Sequence, residues 1–215
     1  MKLFWTPASP FTRKVCVSAR ELGLWDRIEV VPTTWPLVWA YATIDFTPGL
    51  AESNPVARIP TLVTDAGDEL GDSTLICLYL DTLAGGGRLI PRGEDAWRMW
   101  SLYAVADGAI EAQVAMRAER LRPAASWSEG FLAKQRDRIG RCFDRLEERA
   151  GELACAPGAT PDLAMITAGC ACGYQDWREW LPDFRPGRPK LAAWAEAFAE
   201  RPSMRATRPS ETPER

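Results

Sequence analysis

The sequence predicts an α/β domain followed by an all-helical domain. Strand and helix patterns alternate up to about residue 84, and only helical patterns follow the glycine-rich stretch that begins there. Hydrophobic residues make up 47% of the 215 positions and charged residues 26%, as in ordinary globular proteins. We therefore expect one domain over residues 1–84 and a second over 93–215, joined by a linker at 85–92.

The first domain begins with a strand–helix–strand pattern. Residues 2–6 predict the first strand and residues 28–31 the second. Between them, apolar residues recur at helical spacing from Pro10 to Leu22, and Gly23 ends the pattern. This order indicates a βαβ unit with parallel strands.

A β-hairpin and a helix complete this domain. Residues 58–63 predict a strand, and the turn signal at 65–68 leads back into an antiparallel partner strand. Asp72 or Ser73 can cap the helix that follows, which we expect to reach about residue 83. A βαβ unit followed by a hairpin and a helix is the thioredoxin-like arrangement.

The second domain shows only helical periodicity. The predicted helices cover residues 94–121, 128–150, 162–177 and 189–200. The tail from Arg201 is rich in proline and polar residues, so we expect it to be loosely packed.

Charge and hydropathy exclude several classes of partner. A net charge of −3 gives no electrostatic basis for binding nucleic acid, and the short basic pair Arg13-Lys14 predicts a solvated helix face. No apolar run reaches the length of about 18 residues that a membrane span needs. The N-terminus lacks the apolar segment of a signal peptide. We therefore expect a cytoplasmic protein that binds neither nucleic acid nor membrane.

The absence of histidine limits the possible chemistry. Ser-His-Asp and Cys-His catalysis are both excluded, as is a histidine base. The six cysteines form no CxxC pair, and we interpret them as reduced, mostly buried thiols. A metal site is not expected, because the closest pair, Cys170 and Cys172, does not share a helix face.

Three stretches of the first domain carry a resemblance to a known family: ASPFTRKV at 8–15, NPVARIPTL at 54–62 and GDSTLICLYL at 71–80. Two stretches of the second domain, at 106–120 and 166–178, carry it further. In this order, the motifs resemble those of the glutathione S-transferase family over nearly the whole chain. The resemblance implies glutathione as cosubstrate, no metal, and a homodimer in which the helix after the hairpin packs against the partner's helical domain.

Ser9 is the candidate catalytic residue. With Pro10 it forms a helix start, and the local sequence alone favours a plain N-cap. The resemblance implies that Ser9 occupies the family's catalytic serine or cysteine position. A thiol at a helix N-terminus ionises more readily, and a serine hydroxyl can hydrogen-bond the thiolate. Since serine forms no disulfide, transferase or peroxidase chemistry is favoured over disulfide reduction.

The resemblance also implies a glutathione-binding set. Its members are Ser9, Phe11, Arg58, Ile59, Pro60, Asp72 and Ser73. The Ile59–Pro60 bond is expected to be cis, leaving the Ile59 backbone free for the cysteinyl part of glutathione. Asp72 and Ser73 would bind the γ-glutamyl ammonium and carboxylate, and Arg58 another carboxylate. The alternatives are a trans proline at a strand edge, a lone surface arginine and an Asp-Ser cap without ligand.

The electrophile pocket should lie between the two domains. Its candidate residues are Pro7, Trp35, Trp39, Tyr103, Asp107 and Met116. Each tryptophan is also explained as a packing residue. The family's Ser/Thr-x-x-Asp capping box in the apolar helix of the second domain is replaced here by Asp162 and Met165, so only the cap itself is expected to persist.

Two classes of function remain open from the sequence. The first is a glutathione S-transferase that activates the glutathione thiolate for attack on a small hydrophobic electrophile. The second is a glutathione- or hydrophobe-binding protein of the same fold with little turnover. A glutathione-dependent peroxidase, isomerase or dehalogenase would share the thiolate step.

Overall fold

The first domain has the predicted thioredoxin-like order of strands and helices. The computed structural model describes residues 1–33, 47–156 and 158–211 of the chain. Its strands are β1 (Lys2–Trp5), β2 (Glu29–Pro32), β3 (Thr61–Val63) and β4 (Glu69–Leu70). Its helices are α1 (Pro10–Glu21), α2 (Leu50–Ser53) and α3 (Ser73–Leu83). The strand order is β2-β1-β3-β4, in which β1 and β2 are parallel and the other two pairs antiparallel. The predicted parallel unit and hairpin are both confirmed.

Helix α1 begins where the sequence predicts. Ser9 has extended backbone angles and caps the helix, and Pro10 supplies a first-turn residue that needs no amide partner. Gly23 follows the helix at φ +70°, a conformation that favours glycine. The helix packs against α3 in its own domain and against the helical domain on its other side.

The second domain is entirely helical in the described residues. Its helices are α4 (Glu94–Arg120), α5 (Glu129–Glu148), α6 (Leu163–Trp177), α7 (Pro189–Ala199) and α8 (Pro202–Arg205). Helix α4 packs along both α5 and α6, and most residues of α6 are buried. The Asp162 carboxylate accepts the Met165 N–H at 2.8 Å, so the predicted cap is confirmed.

The predicted solvated face at Arg13-Lys14 is wrong. Lys14 is fully buried, and its Nζ lies 2.7 Å from the Tyr103 hydroxyl and 2.8 Å from Asp107 Oδ1. Arg13 is also buried, and its guanidinium fills the space where a Cβ on Gly173 would lie. The reason is that α1 is covered on two sides, so the helix has no broad exposed face.

The expected looseness of the C-terminal tail is also wrong for its first turns. Arg201 donates to both carboxylate oxygens of Glu21 in α1, at 3.0 and 2.9 Å. Ser203 and Met204 in α8 are buried. The tail is held because Glu21 supplies a charged partner on the first domain.

All six cysteines are free, and four of them are buried, as predicted. Burial raises the pKa of Cys16 to about 12 and the pKa of both Cys77 and Cys170 to about 11. These thiols are therefore protonated and unreactive at neutral pH. No helix in the described ranges combines the length and hydrophobicity of a transmembrane span.

Candidate active site

A cleft of about 560 Å³ lies between the two domains. The first domain contributes the β1–α1 loop, the start of α1 and the loop before β3, and the second contributes α4, the end of α6 and the tail. The lining residues are Thr6, Ala8, Ser9, Pro10, Phe11, Arg58, Ile59, Glu111, Val114, Ala115, Arg117, Ala118, Leu121, Tyr174, Arg178 and Glu211. The fold thus brings Ser9 and Phe11 together with Arg58 and Ile59, two pairs that are far apart in sequence.

Ser9 lies on the cleft wall at the N-terminus of α1. Its Oγ accepts the Thr12 N–H at 3.2 Å, which is the predicted capping bond. Within the described residues the hydroxyl donates no hydrogen bond, so its proton is available to a ligand. The first-turn amides of α1 add a positive partial charge next to this hydroxyl. A thiolate bound here would receive both contributions.

The loop before β3 adopts the predicted cis bond between Ile59 and Pro60. The Arg58 carbonyl accepts the Thr61 hydroxyl at 2.7 Å and the Asn54 side-chain amide at 3.3 Å, which fixes the loop. Among the described residues, Ile59 has no hydrogen-bond partner for its backbone groups. The Arg58 side chain is exposed at the mouth of the cleft. The loop therefore presents an unused backbone donor, an acceptor and a cation.

Asp72 and Ser73 lie at the N-terminus of α3 and are not among the residues that line the cleft. One Asp72 carboxylate oxygen accepts the N–H groups of Thr74 and Leu75 at 2.7 and 3.0 Å. Ser73 is buried, and its hydroxyl has no hydrogen-bond partner in the part of the chain that the structure describes. The Asp72 cap is thus in place, and the Ser73 hydroxyl is left available.

None of the described residues predicted for the electrophile pocket is among those that line the cleft. Pro7, Tyr103, Asp107 and Met116 do not line this cleft, and Trp35 and Trp39 lie outside the described residues. Tyr103 and Asp107 are on the correct stripe of α4, but Lys14 of α1 packs against them. Met116 points into the core. The cleft opens one turn after Asp107, so the residues that line it are the next members of the stripe.

Lys14, Tyr103, Asp107 and Thr74 form a cluster, here called the Lys14 cluster. Burial and neighbouring charges shift the pKa values of Lys14 and Tyr103. Burial alone would lower the pKa of Lys14, but Tyr103 and Asp107 raise it above its ordinary value. Burial raises the pKa of Tyr103 to about 12, and its hydroxyl lies 2.5 Å from that of Thr74. Lys14 is therefore charged and Tyr103 neutral at pH 7. The cluster ties α1 and α3 to α4 and is structural in its geometry.

Two arginines on the second-domain wall were not predicted. The Arg178 side chain is only 8% exposed and donates to the Glu211 carboxylate at 2.6 Å. Burial lowers the pKa of Arg117, as does the nearby Arg178 guanidinium. The spacing of Arg117 from Val114 on α4 could have revealed it, because residues three apart share a helix face. No comparable signal marks Arg178, which lies just past the end of α6.

Comparison with known proteins places this geometry in a family. Residues 3–88 match the family model of the glutathione S-transferase N-terminal domain. A curated relative, the uncharacterized GST-like protein YibF of Escherichia coli K12, is 31% identical over 97% of this chain and 98% of its own length. The chain belongs to the glutathione S-transferase family.

Solved structures of other glutathione S-transferase family members agree along the whole chain. A glutathione transferase family member from Pseudomonas fluorescens Pf-5, solved with bound glutathione, is 39% identical, with a TM-score of 0.88 over 98% of this chain and 99% of its own. The same family member was also solved with bound S-(propanoic acid)-glutathione, with a TM-score of 0.80 over 98% of this chain and 100% of its own. A glutathione S-transferase from Methylobacillus flagellatus KT, with glutathione bound, is 29% identical with a TM-score of 0.83, over 97% and 99% of the two chains.

The described part of this family member holds no cluster of three or more His, Cys, Asp or Glu side chains with the geometry of a metal site.

Proposed function

We propose that this protein is a glutathione transferase that binds glutathione beside Ser9 and activates its thiolate for attack on a small hydrophobic electrophile. The observation that carries the proposal is the unused Ser9 proton at the N-terminus of α1, facing the interdomain cleft. The family members from Pseudomonas fluorescens and Methylobacillus flagellatus, solved with bound glutathione, support this choice of cosubstrate.

The proposed binding mode uses groups that the fold leaves available, together with Asp72, which caps α3 through only one of its carboxylate oxygens. The Ile59 backbone N–H and C=O pair with the cysteinyl part of glutathione, next to Pro60 and Phe11. Ser73 binds the γ-glutamyl carboxylate at the α3 N-terminus, and Asp72 pairs with the ammonium group. Arg58 at the cleft mouth pairs with the remaining carboxylate.

The proposed mechanism begins with the ionised sulfur. A free thiol has a pKa of about 8.5, and a helix N-terminus lowers it to roughly 3.5–7.5. Ser9 donates its hydroxyl proton in a hydrogen bond to the thiolate while its oxygen keeps the capping bond from Thr12. The thiolate then attacks an electrophilic carbon: a C–S bond forms, and the bond to the leaving group breaks, so that the leaving group (the halide of an aryl halide) departs with the electron pair. No protein disulfide forms, because serine has no thiol. The apolar side chains of α4 would bind the electrophile and exclude water.

We further propose a cytoplasmic homodimer. Leu75 and Leu78 on α3 are 45% and 43% exposed, which leaves apolar surface where family members are expected to pair. Six free thiols fit a reducing compartment.

The test is a titration of bound glutathione by the ultraviolet absorbance of its thiolate. We expect the bound thiol of the wild-type protein to titrate below pH 7.5, and the Ser9→Ala variant to raise that pKa by about 1 unit or more, since a hydrogen bond to a charged group is lost. Conjugation of an aryl halide should fall by about 10-fold or more in kcat/KM.

Ser128→Ala is the matched control, because Ser128 also caps a helix and accepts the Phe131 N–H at 3.3 Å, but it does not line the cleft. It should cost cap stability without changing the thiol pKa. If bound glutathione stayed a thiol at pH 7 in the wild-type protein, this result would contradict the transferase proposal and favour a binding protein with little turnover.

A further inference from the structure

A nearly buried cation lies on the cleft wall at Arg178. Its guanidinium stacks on Trp177, with 3.6 Å between its central carbon and the ring centroid, and it also lies 5.2 Å from the Tyr174 ring. Its Nε is buried and has no hydrogen-bond partner among the described residues. Stacking holds the group in one orientation, and burial makes an anionic partner necessary. This arginine is built to receive an anion.

The anion that Arg178 receives comes from the chain's own tail. Glu211 lies in the C-terminal segment, its side chain is 68% exposed, and the bond to Arg178 Nη1 is 2.6 Å. Glu211 itself is placed among the cleft-lining residues. Because the Glu211 side chain is largely exposed, its carboxylate returns to water when another carboxylate takes its place on Arg178, so the exchange leaves neither charge buried and unpaired.

A second cation on the same wall is unpaired. Arg117 of α4 makes no side-chain hydrogen bond or ion pair within the ranges that the structure describes. Burial and the Arg178 charge both disfavour its protonated form, while Tyr174 and Glu211 favour it. The cleft's other carboxylate, Glu111, is already bonded to Arg138 at 2.9 Å. The two cations therefore exceed the carboxylate that faces them.

Apolar side chains also line the cleft. Phe11, Val114, Ala118 and Leu121 line the same cleft as Ser9 and the two arginines. A ligand that fills this space would have an apolar body and one anionic end.

We propose that the electrophile is a carboxylate-bearing molecule with an apolar body, and that Arg178 and Arg117 bind its carboxylate in place of Glu211. This rests on the proposed transferase function and names the substrate class of the same site. The carboxylate is bound and takes no part in bond making, so the thiolate attack is unchanged. Glu211 acts as an internal competitor that covers Arg178 when the cleft is empty.

The test compares matched glutathione conjugates by calorimetry. One pair is S-(2-carboxyethyl)glutathione and its primary amide, and a longer pair is S-(4-carboxybenzyl)glutathione and its primary amide. In the wild-type protein, we expect the carboxylate of at least one pair to bind about 10-fold more tightly than the amide, as for a charge-assisted bidentate contact. Each amide matches its acid in size, so the ratio isolates the charge.

Variants test which residues cause the preference for the carboxylate over the amide. Arg178→Gln and Arg117→Met should each bring the ratio of the two affinities close to 1 while leaving the affinity for glutathione itself unchanged. Glu211→Gln should raise affinity for the carboxylate several-fold and leave the amide as it was. Arg120→Met is the matched control, because Arg120 lies on the same helix but packs on Trp127 and Trp180, outside the cleft. It should keep the wild-type ratio.

The outcomes separate the two proposals. Equal affinity for acid and amide in both pairs, with glutathione still bound, overturns the carboxylate site and leaves the transferase proposal intact. Failure of the wild-type protein to bind glutathione overturns both. If Arg178→Gln does not fold, Arg117→Met and Glu211→Gln still decide, because both side chains are partly exposed.

Discussion

A buried lysine fixes how the first helix meets the second domain. Lys14 projects from α1 into contact with Asp107 and Tyr103 of α4, and Tyr103 in turn reaches Thr74 of α3. A charge in the interior is costly unless every partner is present. This cluster therefore determines which stretch of α4 is closed by α1 and where the cleft begins.

Removal of the lysine charge should expose that cost. We expect Lys14→Met to lower the free energy of unfolding by about 3 kcal/mol, because the Asp107 carboxylate loses its counter-charge. The double variant Lys14→Met/Asp107→Leu should recover most of the loss, since neither charge remains. Urea unfolding at one protein concentration measures both. A double variant as unstable as the single one would show that side-chain packing, and not the unpaired charge, sets the penalty.

At the level of single residues, the sequence predicts local motifs but not the contacts that a side chain makes with distant elements. The Ser9 cap was predictable because the serine and the proline that start the helix lie together in one local motif. Lys14 was mistaken for a solvated residue, because periodicity along one helix says nothing about what covers its other faces. Arg178 lies just after a helix, and only the fold brings it to the cleft beside Arg117 of α4.

Helix starts were predicted well, because the caps are chemical and local. Ser9, Asp72, Ser128 and Asp162 each accept a backbone N–H from the first turn of the helix they precede. These four side chains fix the starts of α1, α3, α5 and α6. Strand β3 was predicted from residue 58 but begins at Thr61, because the loop before it is held by side-chain bonds to the Arg58 carbonyl.

The cap of α6 gives a stability prediction. Asp162→Ala should lower the free energy of unfolding by about 1 kcal/mol, because the Met165 N–H loses its acceptor. Asp162→Asn keeps an acceptor without the charge, so its stability should stay close to that of the wild-type protein. Thermal unfolding of the three proteins provides the comparison, and an asparagine variant as unstable as the alanine one would contradict a capping role.

The difference in stability between the wild-type protein and Asp162→Asn should depend on pH. Burial raises the pKa of Asp162 above its ordinary value of 3.8, against the opposing hydrogen bonds from Met165 and Ala164. The unfolded chain therefore releases this proton at lower pH than the folded one. The stability that this group contributes is fully present below pH 3.8 and is lost as the pH rises through the folded-state pKa. The wild-type protein should gain stability relative to Asp162→Asn as the pH falls through that window.

At the scale of the whole molecule, two surfaces have different roles. On one side of the first domain, α1 contacts α4 through the polar side chains of the Lys14 cluster. The outer side of α3 carries exposed leucines that no element of this chain covers in the described residues. Such apolar surface on a helix is typical of a protein–protein contact.

We therefore expect the chain to form a dimer through α3, with a mass twice the 23.9 kDa of one chain. Leu78→Glu should shift the mass in solution to that of one chain at micromolar concentration, because a dimer would bury an unpaired carboxylate at each copy of the contact. Light scattering after size-exclusion chromatography measures this. Val30→Glu is the control, since Val30 is an exposed apolar residue on the edge strand β2, outside both α3 and the helical domain, and should leave the dimer intact. A wild-type protein that elutes as one chain would refute the dimer, and a Leu78→Glu dimer would move the contact away from α3.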